Sequence, residues 1–297
     1  MENREKFTFY NSFNNGDIFF SRIVMKPFMN QKNIEFYHKE KKGLFRDLEN
    51  VVENDYLPED FSISKNEVFD DGGLINKPIN CWVAQDIGSR QSPYQNHPFP
   101  GCNFENYVGI AYELCKLYNI KPFENIEDYL PEINFNNLPT KKDIDNLMYE
   151  YSLVYDKIIL FCNGYVRSGQ SENFDFTPVI TKLANENPKI LFLTTHQIET
   201  GCENVVPTSL ITNITPDLLE ISYISTLCNI IVGRGSGPYT LSQNKENLLN
   251  PNKKFVCFGN NRFIAKFYQN CKCQVWWTQF YDFDNQYKLL SSVINTN

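Results

Sequence analysis

No stretch of the 297-residue chain approaches the roughly 20 apolar residues that a membrane-spanning helix needs. An excess of positive charge is also missing. Lys and Arg number 28 against 35 Asp and Glu, a formal net charge of −7, which argues against any general attraction to nucleic acid or to an anionic bilayer. The nine cysteines lack paired spacing: Cys271-Lys272-Cys273 is the one close pair, and without a second pair it does not read as a zinc site. An odd, scattered set reads instead as reduced thiols. The charged start, Met1 to Lys6, does not read as a signal peptide. Asp282-Phe283-Asp284 has the spacing of a divalent-ion motif but lies in an aromatic C-terminal segment. The expectation is a soluble, cytoplasmic chain without integral membrane association, nucleic-acid partner, metal or cofactor.

The remaining composition, 42% hydrophobic and 21% charged, is that of an ordinary globular protein. Its length suits two domains or one large one. Asn is over-represented at 37 residues, which reads as the codon bias of an AT-rich genome rather than as chemistry.

Short apolar runs followed by helical periodicity indicate β-loop-α units around a largely parallel sheet. Strands are expected at Lys6–Tyr10, Asn33–Tyr37 and Ile79–Ala84, with helices over Ile18–Met29 and Asn103–Tyr118. Residues 39–73 give weak signals. The Pro- and Asn-rich stretch from Phe123 to Thr140 reads as the linker, since Pro breaks helices and ladders while polar residues favour solvent. Beyond it the pattern sharpens. Strands are expected at Lys157–Cys162, Lys189–Thr194, Asn229–Val232 and Lys254–Phe258, with helices over Phe176–Asn185, from Thr215, and over Gly237–Asn247. That alternation is Rossmann-like. The expected division is an N-terminal domain over 1–140 and a C-terminal one over 141–284.

Three groups carry candidate chemistry. Asn15-Gly16-Asp17 follows the first strand at a helix start; there Asp17 reads either as a helix N-cap or as a general base facing the crevice at the strand's carboxyl end. Gly233-Arg-Gly-Ser-Gly-Pro-Tyr-Thr240 follows the strand Ile230–Val232 and opens a helix. It reads as a diphosphate seat built from backbone N–H groups and a hydroxyl, or as a packing turn. It has no P-loop Lys, which disfavours an ATPase. Asn163-Gly164 with Arg167, and Thr195-His196 with Glu199, follow the other two strong strands, so a parallel sheet gathers all of these at one edge. The patternless segment 85–104, with Arg90 and His97, reads as an acceptor-recognition loop or as plain surface.

In this order the motifs resemble those of the family 9 GT-B glycosyltransferases, the ADP-heptose:lipopolysaccharide heptosyltransferase-like group. The matching elements are Ile158 to Arg167, the strand ending at Thr194, Asp217 to Gly233, Gly235-Ser-Gly-Pro-Tyr-Thr240, Phe255 to Gly259, and Gly16-Asp17-Ile18. Where that family reads Asp-Ser/Thr-Gly-x-x-His, this chain has Gly235 for the Asp and Thr240 for the His, with Ser236 and Gly237 matching.

The resemblance implies an α/β GT-B fold, two Rossmann-like domains facing across a cleft, with the last helix, 285–297, packing back on the N-terminal half. It implies a metal-independent transfer from a nucleotide-diphosphate sugar to an acceptor hydroxyl of a glycan or other molecule. Asp17 would then be the base. Asn163, Gly164, Arg167, Thr195, His196, Glu199, Gly235, Ser236, Gly237, Pro238, Tyr239 and Thr240 would sit around the donor, and Asn15, Gly16, Arg90 and His97 on the acceptor side. A non-catalytic nucleotide-sugar or glycan-binding relic and a sugar-nucleotide epimerase are the alternatives, because fold does not fix chemistry.

Overall fold

The computed structural model describes residues 6–29, 33–41, 43–59, 61, 78–81, 105–167, 169–215, 217–260 and 271–296. The chain divides into two compact units, Met1–Asn137 and Leu138–Asn297.

In the first unit, strands β1 (Lys6–Tyr10), β2 (Asn33–Tyr37), β3 (Val51–Asn54) and β4 (Ile79–Asn80) form a parallel sheet in the order β3-β2-β1-β4. Helix α1 (Asn15–Met25) is buried at every position from Ile18 to Met25, as expected for a helix enclosed by protein rather than lying half in water. It packs against helix α2 (Glu105–Leu117). Phe9, Phe28, Phe36 and Phe45 fill the core.

Charges are buried here too. Arg22 of α1 makes a bidentate pair with Asp47, with Nη1 at 2.9 Å from Oδ2, and donates to the carbonyls of Leu44 and Glu132. Both side chains are essentially without solvent contact. At the end of β2, His38 Nε2 lies 2.8 Å from Glu53 Oε1 on β3. The same carboxylate accepts the backbone N–H groups of Gly43, Leu44 and Phe45. Burial pushes the Glu53 carboxyl up, but His38 and these three amides outweigh it and hold it below the ordinary value.

The boundary between the units falls inside the expected linker, at Asn137 and Leu138, but the stretch leading to it is packed. Tyr129, Leu130, Ile133, Phe135 and Leu138 are buried, and Asp47 fastens the stretch through Asn134 N and Asn137 Nδ2. Its prolines break helices without expelling the chain from the core, since apolar side chains recur between the polar ones.

The second unit opens with α3 (Lys141–Val154), then β5 (Lys157–Cys162), α4 (Thr177–Glu186), β6 (Ile190–Thr194), β7 (Val205–Pro207), α5 (Ser209–Thr212), α6 (Leu218–Leu227) and β8 (Ile230–Gly233). It continues with α7 (Gly237–Leu241), α8 (Lys245–Leu249), β9 (Lys254–Phe258), β10 (Gln274–Thr278) and α9 (Phe283–Asn295). The strands are parallel in the order β7-β6-β5-β8-β9-β10. Numbered by appearance within the unit this is 3-2-1-4-5-6, the doubly wound Rossmann order, whose ligand crevice lies where the order reverses, between β5 and β8.

The C-terminal helix departs from expectation. Leu290, Val293 and Ile294 of α9 join the core formed by α4 and the second sheet, with Phe176, Leu183, Val256 and Phe258. Its apolar stripe matches that sheet face, so the helix closes its own unit. Asp282, one of the two acids of the Asp-x-Asp, caps α9 by accepting from Asn285 N at 3.0 Å. Among the described residues no group of three His, Cys, Asp or Glu could hold a metal ion, no helix is long and apolar enough to cross a membrane, and none of the eight cysteines is in a disulfide.

Candidate functional site

Strand register assembles the candidate donor edge. Phe161 pairs with Thr194 and Cys162 with Gly233, so the loops after β5, β6 and β8 leave the sheet side by side. Asn163 ties two of them together. Its Oδ1 accepts from His196 N at 2.8 Å and Thr195 Oγ1 at 3.2 Å, and its Nδ2 donates to His196 O at 3.0 Å. Gly164 reflects the same closeness: with the His196 ring in this position, a Cβ there would lie 2.5 Å from His196 Cε1. Arg167, His196 and Glu199 are exposed at this edge, and Thr195 is half-buried.

The turn after β8 is held from beneath. Gly233 leaves no room for a side chain, since a Cβ would meet Cys162 Cβ at 2.8 Å and Tyr239 Cδ2 at 2.9 Å. Arg234 is fully buried. Its guanidinium stacks on Phe174 and Phe176, with Cζ 4.5 and 4.7 Å from the ring centroids. It also donates to Phe174 O at 2.7 Å and to Glu172 O at 3.2 Å. Burial lowers its pKa to about 10. Arg234 therefore fastens the loop after β5 to the turn after β8. Sequence reasoning passed over it, although a cation between Gly233 and Gly235 was the available signal.

Ser236 takes the N-cap position of α7 without a side-chain cap bond, and its buried Oγ has no hydrogen-bond partner among the described residues. The buried hydroxyl of Thr194 on neighbouring β6 is likewise unpartnered. Buried hydroxyls normally find partners, so each is a place to look for a missing ligand or water.

Two expectations change. The helix expected over Gly237–Asn247 is two short ones broken at Ser242–Asn244, because Asn244 caps α8 by accepting from Asn247 N at 3.0 Å. Five residues sum few peptide dipoles, so α7 offers local N–H groups more than a macrodipole. Tyr239 is no lining residue: it is fully buried with its ring edge-on to Phe255 at 5.8 Å. Gly235, Gly237 and Pro238 are half-buried in the turn, and Thr240 is buried. None of the three turn glycines has positive φ; close packing, at Gly233, is what demands one.

A residue that sequence reasoning did not single out as a site also belongs to this region. Asp217, just before α6, accepts from Thr212 Oγ1 at 3.1 Å. Burial raises its carboxyl pKa, against smaller lowerings by the Thr212 hydroxyl, its own backbone N–H and, least, His196.

The first unit has its own switch point, between β1 and β4, and Asp17 follows β1 there. The N-cap reading fails, since Asn14 occupies that position and Asp17 is the third residue of α1. The Asp17 side chain is half-buried and its Oδ1 accepts from Tyr107 Oη at 3.3 Å. Asn11 Nδ2 and Ser21 Oγ donate to the Asp17 carbonyl at 3.0 and 3.1 Å. Asn15 and Gly16 form the first helical turn beside it. Arg90 and His97 lie outside the described residues.

A solved structure of a glycosyl transferase family 9 protein from Veillonella parvula is similar over 98% of this chain and 92% of its own, with 15% identity and a TM-score of 0.51. The chain has a GT-B fold. A looser likeness extends to Escherichia coli ADP-heptose lps heptosyltransferase II, at 12% identity over 97% of this chain and 98% of that one with a TM-score of 0.48. No protein-family model matches the chain, and no curated protein matches it. In this GT-B chain the two switch points carry the residues described above, each at the carboxyl edge of its own parallel sheet.

Proposed function

We propose that the chain is a glycosyltransferase that moves a sugar from a nucleotide-diphosphate sugar to an acceptor hydroxyl. The observation that carries this reading is the unpartnered, buried Ser236 hydroxyl at the switch point of a 3-2-1-4-5-6 sheet, in a chain whose fold is shared with a glycosyltransferase structure. Fold alone does not fix the reaction; the chemistry of the two edges is what favours transfer.

In this reading the donor diphosphate seats on the turn Gly235-Ser236-Gly237, where backbone N–H groups and the Ser236 hydroxyl meet the phosphate oxygens. Arg167, exposed at this edge, supplies a cation to the charge that builds on the leaving nucleoside diphosphate. Asn163, by fixing the backbone at Thr195 and His196, shapes the wall beside it. Asp17 takes the proton from the acceptor hydroxyl as that oxygen attacks the anomeric carbon. The acceptor is a glycan or another hydroxyl-bearing molecule, and the fixed donors stabilise the leaving group without a metal.

A thermal-shift panel of nucleoside diphosphates and nucleotide sugars, with and without EDTA, tests this on wild type and Ser236→Ala. One nucleotide class is expected to stabilise the wild type regardless of EDTA. Loss of the hydroxyl should weaken its binding by about tenfold, the order expected for one hydrogen bond to a charged group. Asp17→Asn should keep that binding and lose transfer. Absence of stabilisation by every nucleotide would overturn the proposal. Binding with no transfer to any hydroxyl acceptor, and no effect of Asp17→Asn, would leave a nucleotide-sugar-binding protein.

A further inference from the structure

Asp17 is more closely supported than a base at the head of a helix needs to be. Its backbone carbonyl is held by Asn11 and Ser21, which are themselves joined by a 3.0 Å bond from Asn11 Nδ2 to Ser21 Oγ. Asn11 Oδ1 in turn accepts from Phe13 N at 3.0 Å, shaping the loop that leads into α1. The carboxylate itself meets a side chain from another element: Tyr107, 90 positions later on α2, donates to Oδ1 at 3.3 Å. Tyr107 is 7% exposed, with its ring 5.9 Å from that of Phe20 on α1. A hydroxyl on so buried a ring has little freedom to point elsewhere.

We propose that Tyr107 is a positioning residue for Asp17: its hydroxyl orients the carboxylate and selectively stabilises the ionised form that can accept a proton. This rests on the reading of Asp17 as the base. The groups gathered around Asp17 and Tyr107 among the described residues include Ser21 on α1 and Asn11 after β1, which meet Asp17, and the Cys81 thiol just after β4, which meets Tyr107 and Ser21. Besides Asp17, Tyr107 and Cys81 are titratable, and both stay neutral. Burial, and secondarily the Asp17 charge, raises the Tyr107 phenol well above its ordinary value, and burial raises the Cys81 thiol against a smaller lowering by Ser21. Tyr107 is therefore a donor at every working pH and never competes for the proton. Its 3.3 Å reach is long for an O–H···O bond, as is common in unliganded sites, where such bonds tighten when the substrate arrives.

The test is the titration of Asp17 followed by carboxyl carbon NMR, its resonance assigned by its loss in Asp17→Asn. In Tyr107→Phe the Asp17 midpoint is expected to rise by about half a pH unit or more, because a bond to the charged form has been removed. Replacing Tyr107 by 3-fluorotyrosine, a more acidic donor of nearly the same shape, should move the midpoint the opposite way and also covers the case in which Tyr107→Phe does not fold. If transfer is measurable, the acid limb of kcat/KM should follow the same midpoints. An Asp17 midpoint that stays put in both variants would overturn the inference. The titration needs no substrate, so it is decided separately from whether the chain transfers a sugar.

Discussion

The two units reach similar parallel sheets by different polar devices. In the first, the supports that tie distant segments together are mainly buried charges. Arg22 forks onto Asp47 to bind α1, the loop before β3 and the segment 132–137, and Glu53 gathers His38 and three backbone amides. In the second, most are neutral carboxamides and hydroxyls. Asn163 fixes the loop after β6, and Asn204 Nδ2 donates to the carbonyls of Ala184, Asn187 and Ile190. Asn244 and Asn247 join α6 to the helices after β8 through Ser222, Ser225 and Ser242. Both devices satisfy the same need, that buried polar groups be paired. They differ in what breakage leaves behind: a cut ion pair strands a charge in the core, whereas a cut carboxamide strands carbonyls.

The largest effect should therefore come from Asp47→Ala. It leaves Arg22 charged and buried, and about 3–5 kcal/mol should be lost from the first unit. Hydrogen exchange followed by mass spectrometry would show it as lost protection in α1 and β3. Asn204→Ala in the second unit should cost less, about 1–3 kcal/mol, the penalty of leaving buried carbonyls short of a donor, read from urea unfolding. Equal losses would erase the distinction between the two devices.

Acid and alkali sharpen the contrast without mutation. The Glu53 pKa is lower in the folded chain than its ordinary value, so its stabilisation is present above the ordinary carboxylate range and is lost as pH falls through the folded value. Exchange in the loop 43–45 should rise there, and Glu53→Gln should flatten that dependence. In the second unit Lys253 is buried and donates to the carbonyls of Ser225, Thr226 and Cys228. Burial lowers its pKa to about 8 from 10.5. Between those values the unfolded chain holds more protons at this position, so the Lys253 contribution to stability should rise with pH, read as the difference between wild type and Lys253→Met because the buried thiols of Cys162, Cys228 and Cys257, raised by burial, act in the opposite direction.

The smallest stability effect should come from Gly164→Ala. The added Cβ meets His196 at 2.5 Å, but that ring is exposed and free to turn, so the cost should stay below about 1 kcal/mol. Nucleotide binding should suffer more than melting temperature. A large stability loss would show that His196 is part of the packed support and not of the open edge.

Much of this was readable from the chain. Ile159 to Phe161, Leu191 to Leu193, Ile230 to Val232 and Phe255 to Val256 form apolar runs that only buried parallel strands accommodate, and the glycine-rich turn after β8 is visible in one line of sequence. Strand β3 was hidden because one of its four residues, Glu53, is a charge turned inward onto distant amides, and β7 because three residues carry no period. The Asn excess, read as codon bias, includes buried carboxamides at Asn11, Asn163, Asn204, Asn244 and Asn247 that hold loops in place; composition does not say which of them face inward.

Periodicity and turn chemistry are local, so the sequence alone determined the alternation of strand and helix, the parallel sheets, and the places where Asp17, Asn163 and Ser236 leave their strands. Partners are not local. That Tyr107 meets Asp17 across 90 positions, that Arg22 finds Asp47, that Arg234 is turned under its loop instead of toward a phosphate, and that α9 closes the second unit were decided by tertiary structure. A buried hydrogen bond or ion pair is fixed by which elements pack together, and no window along the chain contains both of its ends.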